Sequence, residues 1–193
     1  MSESHLMEQA GRKDWEKSNY ERAHLRMLTA KCIWQCAGKP FWVWDYPRGK
    51  TPKEQEKNWL RSIIFDPLHD AIIGVAVCSK TQSNKMGPYR IASDLVALAQ
   101  KPLGEIVAND NIVYRYYHPG IILMLETKST PWSGTVEIPI HILNALGKNS
   151  PLKISCRLFS EDKYKLDCAR INSATTNSLA LELEADGCAV IAI

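Results

Sequence analysis

Residues Val136 to Asn149 read Val-Glu-Ile-Pro-Ile-His-Ile-Leu-Asn-Ala-Leu-Gly-Lys-Asn, and few backbones accommodate that order. The apolar and polar residues alternate up to a proline, as in a half-buried strand. Pro139 suits the first position of a helix, where a missing N–H costs nothing. Gly147 suits the left-handed residue that stops one. The stretch therefore predicts a strand running straight into one or two turns of helix. Val136, Ile138 and Ile140 would share one face of the strand, with Thr135 and Glu137 on the other.

The rest of the 193 residues divides by character. Asp14 to Ala37 holds no proline or glycine, and Trp15, Leu25, Leu28, Cys32 and Cys36 recur at helical spacing, which predicts a helix closed by Gly38-Lys39-Pro40. Phe41 to Trp44 reads as a short aromatic strand. Thr51, Pro52 and Glu54 have the spacing of a capping box opening a second helix, with Trp59, Leu60, Ile63 and Ile64 inward and an end near Asp66-Pro67. Ala71 to Cys78 is apolar and β-branched, a buried strand or the end of a helix. Ile91 to Gln100 has a helical face, and Leu103 to Ala108 could add a further turn. From Asn111 onward strands dominate. Val113 to Tyr117 pairs with Ile121 to Lys128 across His118-Pro119-Gly120, Leu152 to Phe159 with Lys163 to Ile171, and Leu179 to Glu184 with Cys188 to Ile193 across Asp186-Gly187. The expectation is a single α+β domain, with a helical N-terminal part (about 14–66), an antiparallel sheet in the C-terminal part (about 111–193), and room for an embedded ribbon-helix-helix-like dimer module.

Composition narrows the function classes. The chain is 45% hydrophobic and 23% charged, ordinary for a globular protein. No apolar run spans a bilayer and no secretory signal opens the chain, so no membrane is expected and the setting is cytoplasmic. The six cysteines (Cys32, Cys36, Cys78, Cys156, Cys168, Cys188) lie in apolar segments, as reduced and mostly buried thiols would. Cys32 and Cys36 share a helix face but lack the second close pair that zinc requires, so core thiols are the simpler reading. Phosphate-cradling glycine motifs and a nucleophile elbow are both missing. No cofactor, no bound metal and no enzymatic activity are expected. The one cluster arguing otherwise is Asp66, His69 and Asp70, whose carboxylates and imidazole could meet a metal or share a proton at a helix end.

Two features suit nucleic acid. Lys80, Lys85 and Arg90 line a polar loop leading into a helix, with Lys101 beyond it, and a basic loop at a helix start can hold phosphates. Tyr114-Arg115-Tyr116-Tyr117 places aromatics beside an arginine, although an amphipathic strand explains it as well. Lys148 and Lys153 flank the opening segment. That segment is similar to the swapped-hairpin, AbrB-type order of strand, Ile-Pro, short helix, Leu-Gly and strand, over about Thr135 to Leu158. Two further stretches, Leu28-Thr29-Ala30-Lys31-Cys32-Ile33-Trp34 followed by Gly38-Lys39, and Asn58-Trp59-Leu60-Arg61-Ser62-Ile63, resemble short helical signatures of AcaB-like transcriptional activators from conjugative plasmids and integrating conjugative elements. The resemblance implies a homodimeric regulator of transcription with a ribbon-helix-helix core, bound to double-stranded DNA. Lys80, Lys85, Arg90, Lys148 and Lys153 are the candidate DNA contacts. The alternative is a protein-interaction or assembly factor without nucleic-acid binding, with Phe41 to Tyr46 as its contact surface.

Overall fold

The computed structural model describes residues 20–39, 42–45, 51, 61, 64–75, 99–109, 111–147, 169–175 and 177–193. Two compact units emerge, Met1–Tyr89 and Arg90–Ile193. The mixed α+β class expected from the sequence holds.

The first unit contains helix α1 (Tyr20–Cys36), strand β1 (Trp42–Asp45), a helical stretch through 64–68, and strand β2 (Ile72–Val75). Helix α1 stops at Gly38, whose φ of 65° is open to glycine without strain. There Gly38 N–H donates to the Gln35 carbonyl at 2.9 Å and Lys39 N–H to the Trp34 carbonyl at 3.0 Å, a Schellman cap. The aromatic strand and the β-branched strand both form. They pair in parallel, Trp42 opposite Ile72 and Asp45 opposite Val75. A parallel pair needs a crossover, and the helical segment between the two strands supplies it.

One expectation for α1 is reversed. Leu25, Leu28, Cys32 and Cys36 were to face the core, but Tyr20, Ala23, Met27 and Ala30 do so, on the opposite side of the helix. Small residues at 23 and 30 let the helix approach its neighbours closely, and Met27 fills what remains. The second helix ends at Leu68, beside the expected Asp66-Pro67. Pro67 stands in its last turn and the cap falls at Asp70. Ile64 is buried as expected.

The second unit is built from two antiparallel sheets. Strands β3 (Lys101–Pro102), β4 (Val107–Ala108), β5 (Ile112–His118), β6 (Ile121–Glu126) and β10 (Cys188–Ala192) form the larger one, in order β10-β6-β5-β3 with β4 also on β5. Strands β7 (Trp132–Glu137), β9 (Ser178–Leu183) and β8 (Ala169–Ala174) form the smaller, in order β7-β9-β8. The β5–β6 hairpin across His118-Pro119-Gly120 is as expected, with Gly120 N–H donating to the Tyr117 carbonyl. Leu103 to Ala108 is not a helical turn: β3 and β4 take up the open edge of β5, and Pro102 sits there because an edge strand tolerates a missing donor.

The core between the sheets follows period two. Ile112, Tyr114 and Tyr116 of β5, Ile122 and Met124 of β6, and Ala189 and Ile191 of β10 pack with Val136, Ile138, Leu179, Leu181 and Leu183. Each such aliphatic side chain, fully buried, contributes about 1.5–3 kcal/mol. The alternate residues Val113, Leu123, Leu125 and Val190 are buried too, so both faces of the larger sheet are covered. The amphipathic reading of Tyr114 to Tyr117 therefore fails. Arg115 is buried, donates from Nε to the Gly104 carbonyl at 2.8 Å, and lies over the Tyr117 ring.

The opening segment folds nearly as written. β7 leads through Ile138 and Pro139 into α2 (Ile140–Ala145). Pro139 is the N-cap, with an extended ψ of 144°, and its carbonyl receives the Ile142 and Leu143 N–H groups. The helix thus starts one residue later than expected. Ile140 is consequently 76% exposed, while Ile138, Ile142 and Leu143 are buried. Gly147 closes the helix at φ 67°, donating to the Asn144 carbonyl. Within the chain β7 pairs with β9, Val136 opposite Leu179.

Asp186-Gly187 makes its tight turn, with Gly187 N–H donating to the Glu184 carbonyl at 2.8 Å, but no hairpin follows. β9 stays with β7 and β8 while β10 crosses to β6. Glu126 shows why. Its buried carboxylate accepts the Asp186 N–H at 2.8 Å on one oxygen and the Lys128 N–H at 2.5 Å on the other, and its own N–H donates to the Gly187 carbonyl. The start of β10 is therefore held against the end of β6.

Candidate functional site

The cluster Asp66, His69 and Asp70 forms the end of a helix. His69 N–H donates to the Asp66 carbonyl, Asp70 N–H to the Pro67 carbonyl, and Ala71 N–H to the Asp66 carbonyl at 3.0 Å. Asp70, at φ 58°, is the left-handed residue of a second Schellman cap, a conformation aspartate tolerates better than most side chains. The D-x-x-H-D spacing is thus the spacing of a helix stop.

The Asp70 and His69 side chains turn to different partners. Lys31 of α1 donates from Nζ to Asp70 Oδ2 at 2.5 Å. His69 is buried, with Nδ1 2.8 Å from the Phe65 carbonyl and Nε2 2.7 Å from Nδ1 of His24. A carbonyl only accepts, so His69 Nδ1 carries the hydrogen. Burial pushes the His69 pKa down to about 3, which leaves the ring neutral. Its Nε2 is then an acceptor and His24 Nδ1 the donor. Burial lowers the His24 pKa as well. Tyr20 stacks on His24 with ring centroids 5.6 Å apart, and Phe65 lies 4.4 Å from His69. Desolvation raises the Tyr20 phenol above its ordinary range. The arrangement docks α1 onto the helix end and commits both His69 nitrogens. Among the described residues no three His, Cys, Asp or Glu side chains converge as a metal site.

The opposite side of α1 is the feature that sequence reasoning placed wrongly. Leu25 is 64% exposed, Leu28 36% and Ile33 38%. Cys32 and Cys36 are free and exposed, against the expectation of buried thiols, whereas Cys188 is buried as expected. At 100° per residue Leu25, Leu28, Cys32 and Cys36 fall along one stripe, directly opposite Ala23, Met27 and Ala30. The helix is apolar on two faces, and among the described residues one of them is buried and the other exposed. The periodicity alone could not say which, since both stripes repeat at helical spacing.

The candidate DNA contacts Lys80, Lys85, Arg90, Lys148 and Lys153 lie outside the described residues, as do Cys78, Cys156, Cys168, Trp59, Leu60, Ile63 and all of the expected hairpin of 152–159 with 163–171 except 169–171, which begin β8. Most of the capping box and of the Ile91 to Gln100 helix lies outside them too. Phe41 and Tyr46 fall there as well, and the aromatic run between them is β1. Among the described residues no helix is long and apolar enough to cross a membrane. Compared with protein-family models, curated proteins and solved structures, the chain matches none.

Proposed function

We propose that this chain works through protein–protein contact, as an interaction or assembly factor without enzymatic activity, and that the outward face of α1 is its contact surface. The observation that carries the reading is that stripe of exposed Leu25, Leu28, Cys32 and Cys36 on a helix whose other face is already packed. Large apolar side chains gathered on one exposed face mark interaction surfaces more often than isolated ones do. The contact moves from Phe41–Tyr46 to α1 because the aromatic run forms a strand paired with β2.

The double variant Leu25→Lys, Leu28→Lys tests the reading. Lysine keeps helix propensity close to that of leucine. An interface face predicts a chemical-denaturation stability within about 0.5 kcal/mol of the parent and weaker retention on a phenyl column. A loss of more than about 2 kcal/mol would make the stripe part of the core and end the reading. The DNA-regulator reading rests on the basic residues and family resemblance given above. Its outcome in the same samples is a gel shift with double-stranded DNA that weakens with salt and is indifferent to the α1 substitutions.

A further inference from the structure

The partner of that face follows from its symmetry of charge and shape. Resting on the interaction reading, we propose that the outward face of α1 docks on the same face of a second copy, the two helices running antiparallel about a two-fold axis near residue 30. The apolar stripe matches itself in either direction, but the charges at its two ends are complementary in this one. Positions whose numbers sum to about 60 come side by side: Leu28 meets Cys32 of the other copy, Leu25 meets Gln35 and Cys36, and Glu21 meets Lys39. Glu21 is exposed at the first turn and Lys39 is exposed just past the Gly38 cap. Antiparallel pairing therefore sets opposite charges together at both ends of the seam.

The flanking charges choose the same direction. Arg22 and Arg26 lie on the N-terminal half of α1, and the last turn holds no basic residue. A parallel pair would leave these arginines beside the positive N-terminal end of the other helix. The antiparallel pair sets them beside the carbonyl end of the other helix, where the dipole is negative. An isologous contact of this kind closes at two copies. One 17-residue helix from each side buries less than the ~1,200 Å² of a standard interface, the size of weak contacts, so association is looked for at micromolar concentrations.

Sedimentation velocity of the full chain from about 1 to about 200 µM measures this, together with cross-linking of a Leu28→Cys variant. The expected results are a concentration-dependent shift from one copy to two, and rapid covalent dimer formation by L28C with Cys32 of the other copy under diamide, which takes up the two electrons and two protons of the new disulfide. The parent should cross-link at least about tenfold more slowly, because its seam sets Cys32 against Leu28. An intrachain bridge between residues 28 and 32 does not compete, since Cβ atoms about 5–6 Å apart on a helix exceed disulfide reach. A chain that stays monomeric throughout overturns the inference and leaves the interaction reading standing if the double lysine variant is stably folded. Equal cross-linking of parent and L28C, through Cys32 on both copies, overturns it in favour of a parallel pair.

Discussion

At the scale of single residues, His69 has the most consequential chemistry. Its folded pKa is near 3, against about 6.5 in an unfolded chain. Above about pH 6.5 the group is neutral in both states and stability does not depend on it. Below that, the unfolded chain takes up a proton that the folded chain refuses, so stability falls as pH drops from about 6.5 towards about 3. The slope contributed by one such histidine approaches about 1.4 kcal/mol per pH unit. Urea unfolding at pH 7 and pH 5 should show this loss, and the His69→Gln variant, weaker at both pH values, should show a smaller difference between them. Equal pH slopes in parent and variant would mean that His69 is not held neutral. This role was hidden in the sequence. Asp66, His69 and Asp70 read there as possible ligands because residue type says nothing of direction. Direction came from the cap, which uses the backbone of Asp66 and Asp70 and turns the imidazole towards Phe65 and His24.

At the scale of elements, local signals transferred well and pairing transferred less well. Gly38 and Gly147 both close helices, because a left-handed residue is a requirement that the sequence states outright. The β5–β6 hairpin was legible for the same reason. Asp186-Gly187 was legible as a turn but not as a crossing between sheets, since the decision rests with Glu126, sixty residues away in sequence. That residue gives a second test. Glu126→Gln replaces an acceptor with an amide, one end of which must face a backbone N–H donor. With the group buried, the loss should be about 1–3 kcal/mol by chemical denaturation. A neutral effect would show that β10 is held to β6 by its ladder alone. The α1 faces follow the same logic. The sequence held two apolar stripes, and the selection of Ala23, Met27 and Ala30 depended on how close the neighbouring helix end had to come.

At the scale of the whole molecule, the chain is two compact units, and its argument for function lies in the first. The coarse α+β class was readable from the run of helical spacing followed by alternating strands. The basic loop that first suggested DNA contributes no geometry, because its residues fall outside those described. What the structure adds is a helix with one apolar face buried and the other exposed among the described residues, with Glu21 at its first turn and Lys39 just past its cap. The most direct measurement is sedimentation equilibrium of Glu21→Lys, Lys39→Glu and the double reversal beside the parent. Glu21→Lys also removes an acidic side chain from the first turn, a helix effect of about 0.3–1 kcal/mol that a melting curve registers separately. Each single reversal is expected to weaken dimerisation several-fold, and the double reversal to restore it to near the parent value. Dimerisation indifferent to all three, or weakened further by the double reversal, would contradict antiparallel pairing through α1.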